Sequence, residues 1–170
     1  MEKTLKVLNE LEKEGIIETY AIGGAIAAIF YMEPVVTYDL DVFVRFPAAK
    51  AGLVTLSPIY EYLRSKGYKV QQEHIMIQGV PVQFIPVYNA LVEEAVREAT
   101  GKRYKKTKTR VLRAEHLLAI MLQTYRPKDK ARMTRFLEEA KVDRNDLTEI
   151  LKRHGLEKKW HDFTRRFHGE

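Results

Sequence analysis

Apolar and polar positions along the chain change period several times, and each change marks an element. Residues 2–14 place Leu5, Val7, Leu8 and Leu11 among charges, a helical period. Glu18–Ile22 is short, apolar and rich in strand formers, so it predicts a strand. Gly23-Gly24 follows, and Ala25–Tyr31 predicts a helix that Pro34 ends. Thr37–Phe46 alternates like a strand, with Leu40, Val42 and Val44 on one face and Asp39 and Asp41 on the other. Ala48–Lys66 reads as helix, stopped by Gly67. Tyr68–Gln71 and Glu73–Gln78 are strand-like, and Gly79 turns the chain into Val80–Pro86 as a hairpin. Asn89 caps a helix over 90–99 that carries Glu93 and Glu94 near its start. From Ala114 onward the period is helical over 115–124, 129–140, 145–153 and 156–167, with Asp143-Arg144-Asn145 marking a cap. Trp160, Phe163 and Phe167 fall at helical spacing and are expected in the core.

This order predicts an α/β (α+β) fold: a mixed sheet with flanking helices over residues 1–100, then a helical C-terminal region over 111–170. Gly101–Arg110 joins them with Lys102, Arg103, Lys105, Lys106, Lys108 and Arg110, six cations in ten residues. One compact domain is equally compatible with the pattern. With Tyr104 among them, those cations suit either a contact with RNA or a solvated loop or edge strand.

Composition narrows the chemistry. The 170 residues are 45% hydrophobic, enough for an ordinary core. A net charge of +6 favours an anionic partner such as a nucleotide, RNA, DNA or an acidic protein. There is no cysteine, which excludes disulfides, zinc–thiolate sites and thiol catalysis. The charge-free run Thr19–Met32 has 14 residues, too few to span a bilayer, and no export signal is recognisable. The expected location is the cytoplasm, with no membrane partner. His74, His116, His154, His161 and His168 show no metal-ligand spacing, and no serine elbow or Walker-type phosphate loop occurs.

The remaining chemistry gathers around two short motifs. Asp39 and Asp41 share a strand face ~7 Å apart and repel each other by roughly 2 kcal/mol at an effective dielectric of about 20. A bound cation relieves such a pair, and oxygen ligands suit Mg²⁺ or Mn²⁺. Thr37 shares their face, where its hydroxyl can contact a phosphate or a metal-bound water. Gly23 and Gly24 permit a sharp strand-to-helix turn and close approach of a phosphate. A solvated strand end and tight strand–helix packing are the plain structural alternatives.

Taken together, Gly23-Gly24, the helix and Asp39-Leu40-Asp41 resemble the nucleotidyltransferase superfamily, the polymerase-β-like fold, over nearly the whole chain. The closer resemblance is to AbiEii-type and related nucleotidyltransferases, whose Arg-x-Thr-x-Asp-x-Asp corresponds to Val35–Asp41. Their later Lys, then Arg-x-Lys-Asp, then Asp corresponds to the stretch Glu115–Arg132, with Arg126-Pro127-Lys128-Asp129 inside it. The resemblance implies a nucleotidyltransferase-like mixed sheet. It also implies transfer of a nucleoside monophosphate from a nucleoside triphosphate to a hydroxyl of RNA, protein or a small molecule. Asp39 and Asp41 would hold Mg²⁺ or Mn²⁺, while Gly23, Gly24, Thr37, Arg126 and Lys128 would bind the nucleotide. A toxin role within a toxin–antitoxin pair, and hence a protein partner, is among the family's possibilities.

Four positions depart from the family pattern: Val35 for Arg, Met121 for Lys, Arg132 for Asp, and Gln83 for the third carboxylate. An amide accepts a hydrogen bond but not a proton. Asp129 and Glu73 are the nearest substitutes by sequence. The alternative reading is therefore a catalytically inactive protein of this fold that binds nucleotide or RNA.

Overall fold

A computed structural model describes residues 1–33, 37, 39–48 and 55–167. Among the described residues, seven strands form one mixed sheet in the order β3-β4-β5-β2-β1-β7-β6. They are β1 (Thr19–Ile22), β2 (Leu40–Arg45), β3 (Lys69–Gln71), β4 (His74–Ile77), β5 (Val80–Pro86), β6 (Thr100–Tyr104) and β7 (Thr107–Val111). The helices are α1 (Glu2–Lys13), α2 (Gly24–Ala28), α3 (Ser57–Ser65), α4 (Ala90–Arg97), α5 (Ala114–Thr124), α6 (Pro127–Glu139), α7 (Arg144–Arg153) and α8 (Glu157–Phe167).

The centre of the sheet is β2, parallel to β5 and antiparallel to β1. Its buried residues Leu40, Val42 and Val44 give the expected alternation, while Phe43 is also buried on the Asp41 face. The β4–β5 turn places Gln78 and Gly79 at φ of +52° and +79°, the double positive φ of a tight hairpin.

The basic segment is a second hairpin, in which Tyr104 pairs with Thr107 across Lys105-Lys106. Its β6 strand forms the outer edge of the sheet, and β7 pairs in parallel with β1 through Ile22 and Val111. Beyond that pair the two strands diverge, and Arg110 and Glu12 bridge the gap. The Glu12 carboxylate accepts from the Tyr20 N–H at 3.1 Å, and Arg110 Nε donates to the Tyr20 carbonyl at 3.0 Å. Arg110 also pairs directly with Glu12.

Helix α1 packs on β1 and β7, and α4 packs on β1 and β2. Helix α5 touches α2, α4, α6 and α7, so residues Ala114 through Leu122 are all buried. Among the described residues, no helix is long and apolar enough to cross a membrane.

Three expected elements differ in extent. Helix α2 ends near Ala28 because the chain tightens beyond it, with the Phe30 and Tyr31 N–H groups bonding to Ala27 and Ala28. Helix α3 starts at Ser57, not Ala48, because Pro58 is tolerated only in a first turn; residues 49–54 of that expectation lie outside the described residues. The strand expected from Thr37 begins at Leu40. Finally, Phe163 is buried as expected, but Phe167 is 47% exposed and stacks on Phe163 from the last turn of α8, while Trp160 is half-buried.

Candidate active site

Gly24 owes its identity to the carboxylate beside it. It stands at φ +59°, and a Cβ there would fall on the Asp41 carboxylate. A Cβ on Gly23 would enter the ring of Phe43. The Gly23 N–H donates to the Asp41 carbonyl at 3.0 Å, continuing the β1–β2 ladder into the turn. The glycine pair thus lets β2 press Asp41 directly against the backbone. Helix α2 has only five residues, so its dipole adds little to anion binding.

Asp39 and Asp41 open on a cavity of about 210 Å³. Its wall also includes Gly24, Thr37, Gln83, Arg126, Lys128 and Arg132. The chain's two halves therefore meet here: the carboxylates come from the sheet, the cations from α6 and its start. The Thr37 hydroxyl donates to Asp39 Oδ1 at 3.2 Å. Gly23 stands behind the wall, and Val35 lies outside the described residues.

Burial pushes the Asp41 carboxyl above its usual range, and the charge of Asp39 pushes it the same way. Lys128, Arg132 and Arg126 pull it back without cancelling the rise. A half-buried carboxylate beside a second one, incompletely compensated, is a donor set suited to a divalent cation. Gln83 lies abreast of Asp41 in the β2–β5 ladder, so the neutral amide occupies the neighbouring place on the same face.

Neither suggested substitute for the third carboxylate serves. Asp129 is 1% exposed and fully engaged. Its Oδ2 accepts from the Thr124 hydroxyl at 2.9 Å, the Arg126 N–H at 3.1 Å and Arg126 Nε at 2.7 Å. Its Oδ1 accepts from the Arg126 guanidinium at 3.2 Å. These bonds hold its pKa below the usual range despite burial. Asp129 caps α6 and aims Arg126. Glu73 is exposed in the β3–β4 turn and absent from the cavity wall.

Sequence reasoning missed several participants. Arg132 and Met121, noted only as departures, line the cavity, as does Tyr88, which is half exposed and follows β5. His74 was set aside for lack of ligand spacing, yet its Nε2 stands 3.8 Å from Asp39 Oδ2. The missing signal is cross-strand register, which intervals along a chain do not carry.

A second polar cluster, between α4, α5 and α7, was also illegible. Buried Glu94 accepts from Arg153 at 2.7 Å, from His116 Nε2 at 3.1 Å and from His154 Nε2 at 2.8 Å. These bonds, led by that from Arg153, hold its pKa down at about 2. Ligand atoms of Glu94, Glu98 and His116 lie within 4.8 Å of one another. The cluster nevertheless does not fit a metal ion, because Glu94 is already occupied by Arg153 and the histidines, and Arg113 lies 3.5 Å from Glu98. It is an ionic clasp between helices.

No family model and no curated protein matches the chain. Among solved structures it is similar to an antigenic nucleotidyltransferase-like protein from Paracoccidioides brasiliensis, at 16% identity and a TM-score of 0.57, covering 96% of this chain and 91% of that one. It is also similar to the antibiotic-resistance factor ANT(2″)-Ia in two structures. The solution structure gives 13% identity and a TM-score of 0.53 over 98% of this chain and 96% of that one. The crystal structure, in complex with adenylyl-2″-tobramycin, gives 15% identity and a TM-score of 0.50 over 96% and 98%. The fold is that of nucleotidyltransferase-like proteins.

Proposed function

We propose that this protein transfers a nucleoside monophosphate from a nucleoside triphosphate to an acceptor hydroxyl, with a divalent cation, Mg²⁺ or Mn²⁺, held by Asp39 and Asp41. One observation carries the reading: a single cavity presents this carboxylate pair opposite Arg126, Lys128 and Arg132. Carboxylates alone would repel a triphosphate, and cations alone would bind any anion. Together they select an anion that brings a metal. When bound, the cation supplies charge neutralisation at the phosphates. The three basic side chains draw the triphosphate into the cavity and hold it along α6, and Arg126 is kept in place by Asp129. Gly24 leaves room for the Asp41 carboxylate against the backbone. The acceptor oxygen bonds to the α-phosphorus as the bond from that phosphorus to the leaving pyrophosphate breaks, and the hydroxyl proton passes to solvent water.

The likeness to ANT(2″)-Ia, seen with adenylyl-2″-tobramycin, makes hydroxyls of small amino sugars the first acceptors to try. The AbiEii-type kinship rests on the sequence motifs alone. RNA contact through Lys102, Arg103, Lys105, Lys106 and Lys108 is a separate surface: the hairpin turn lies six residues from Leu112 at the cavity, roughly 20 Å along a strand. Arg110 is occupied by Glu12 and Tyr20.

Gln83 abreast of Asp41 favours a second reading, in which the protein binds a metal–nucleotide without transferring it. Titration calorimetry with ATP, GTP, CTP and UTP, with and without Mg²⁺ or Mn²⁺, tests the shared premise. Cation-dependent binding lost in Asp39→Asn is the expected result. Pyrophosphate release with a panel of hydroxyl acceptors then separates enzyme from binder. Silence toward all four nucleotides in the folded protein would overturn both.

A further inference from the structure

The first residue of β4, two strands from β2, stands beside Asp39 just outside the cavity wall. Ile75 of β4 sits opposite Val82 of β5, which places His74 abreast of Gln83, and Gln83 is abreast of Asp41. Residues abreast in a sheet share a face. His74, Gln83 and Asp41 therefore make one row across β4, β5 and β2, with Asp39 at its rim.

His74 Nε2 is buried and has no hydrogen-bond partner among the described residues. Such an atom forfeits its bond to water without compensation, so it calls for an explanation. Its neighbour is Asp39 Oδ2 at 3.8 Å. That gap is too long for a hydrogen bond. It is shorter than two metal–ligand bonds of roughly 2.1 Å laid end to end. An ion placed between the two atoms reaches both.

We propose that His74 is a nitrogen ligand of the cation held by Asp39 and Asp41, and takes the place left by the amide of Gln83. The proposal rests on the nucleotidyl-transfer reading of the cavity. It changes the chemistry of the site in one definite way. Two carboxylates with one imidazole form a mixed donor set, which favours Mn²⁺ over Mg²⁺ more than an all-oxygen set does. A neutral ligand also leaves one negative charge fewer near the triphosphate than a third carboxylate would.

The test is pulsed electron paramagnetic resonance on the full chain loaded with Mn²⁺, without nucleotide, so that no base nitrogen contributes. Wild-type protein is expected to show nitrogen coupling to bound Mn²⁺, altered when the histidines carry the heavy nitrogen isotope. His74→Ala is expected to lose that coupling and to bind Mn²⁺ about tenfold or more weakly, on the scale of lost ligand support. His74→Asp is expected to keep Mn²⁺, lose the coupling, and move the preference toward Mg²⁺. Isotope substitution in wild-type protein keeps the test decisive even where a variant fails to fold. Bound Mn²⁺ that Asp41→Asn abolishes, yet without nitrogen coupling, overturns His74 ligation and leaves the nucleotidyl-transfer reading standing. Coupling that survives His74→Ala overturns it too. Failure of wild-type protein to bind Mn²⁺, alone or with any nucleotide, overturns both.

Discussion

Replacing Glu94 by Gln removes the charge at the centre of the α4–α5–α7 clasp while keeping the side chain's shape. The Glu94 carboxyl titrates at about 2 in the folded protein against an ordinary 4.5, chiefly through Arg153, then His154 and His116. The carboxylate form is thus favoured on folding, a difference worth about 3 kcal/mol as an order of magnitude. A depressed carboxyl contributes its full stability above pH 4.5 and loses it as pH falls toward 2. Glu94→Gln is therefore expected to cost about 2–3 kcal/mol at neutral pH, lowering Tm by roughly 5–10 °C for a chain of this size. The gap between the two proteins should narrow by about 1 kcal/mol at pH 4 and about 2 kcal/mol at pH 3. Urea unfolding of both proteins across that range is the assay. A gap that stays constant from pH 7 to pH 3 would show that the loss does not come from the ionised carboxylate and would refute the clasp. The buried His116 ring is pushed below its usual pKa mainly by desolvation. Its own contribution is full above 6.5 and is lost below it, so it changes at higher pH and does not mimic the Glu94 signature.

Three further outcomes follow from the cavity. Asp41→Asn should abolish cation-dependent nucleotide binding in calorimetry while leaving Tm unchanged or higher, because burial and Asp39 already penalise its charge; a large fall in Tm would contradict this. Gly24→Ala should lower stability by about 1–2 kcal/mol through its positive φ, and should also weaken nucleotide binding by displacing the Asp41 carboxylate; unfolding and calorimetry on the same sample read both. Asp129→Ala should cost about 1–2 kcal/mol by uncapping α6 and should weaken nucleotide binding by releasing Arg126, with Asp129→Asn losing less stability.

The central motifs were legible because they are local. Alternation along 39–44 depends only on neighbouring residues, and it put Asp39 and Asp41 on one face. Gly23-Gly24 marked the turn for the same reason. Helix ends were less legible. Pro58 fixes where α3 can start, yet the apolar spacing on either side of it ran on without a break. What the sequence hid entirely was lateral. His74 meets Asp39 because β4 and β5 pair in one register, and a slip of one residue would turn it to the other face. Glu94 looked like a dipole-compensating residue near the start of α4. It is a buried hub because Arg153 and His154, 59 and 60 positions later, fold back onto it. Charge runs misled in a similar way: Arg110 counted as one of six cations for an anionic partner, but the divergence of β7 from β1 engages it within the fold.

These placements bind stability to function. The carboxylates of the cavity stand on β2 and its approach, whereas Arg126, Lys128 and Arg132 belong to α6 and its cap. Neither group alone selects a metal–triphosphate, so the site exists only where α6 is docked against the sheet. Helix α6 reaches the sheet through α5, and α5 is fastened to α4 by His116 and Glu94 while α4 packs on β1 and β2. The Glu94 clasp lies outside the cavity wall, yet it ties together the two walls that must face each other. Glu94→Gln should therefore weaken nucleotide binding under conditions where most of the protein is still folded, with the loss growing as temperature rises toward Tm. Nucleotide affinity that stays at the wild-type value up to the onset of unfolding would show that the cavity is held by α6 and the sheet without the clasp.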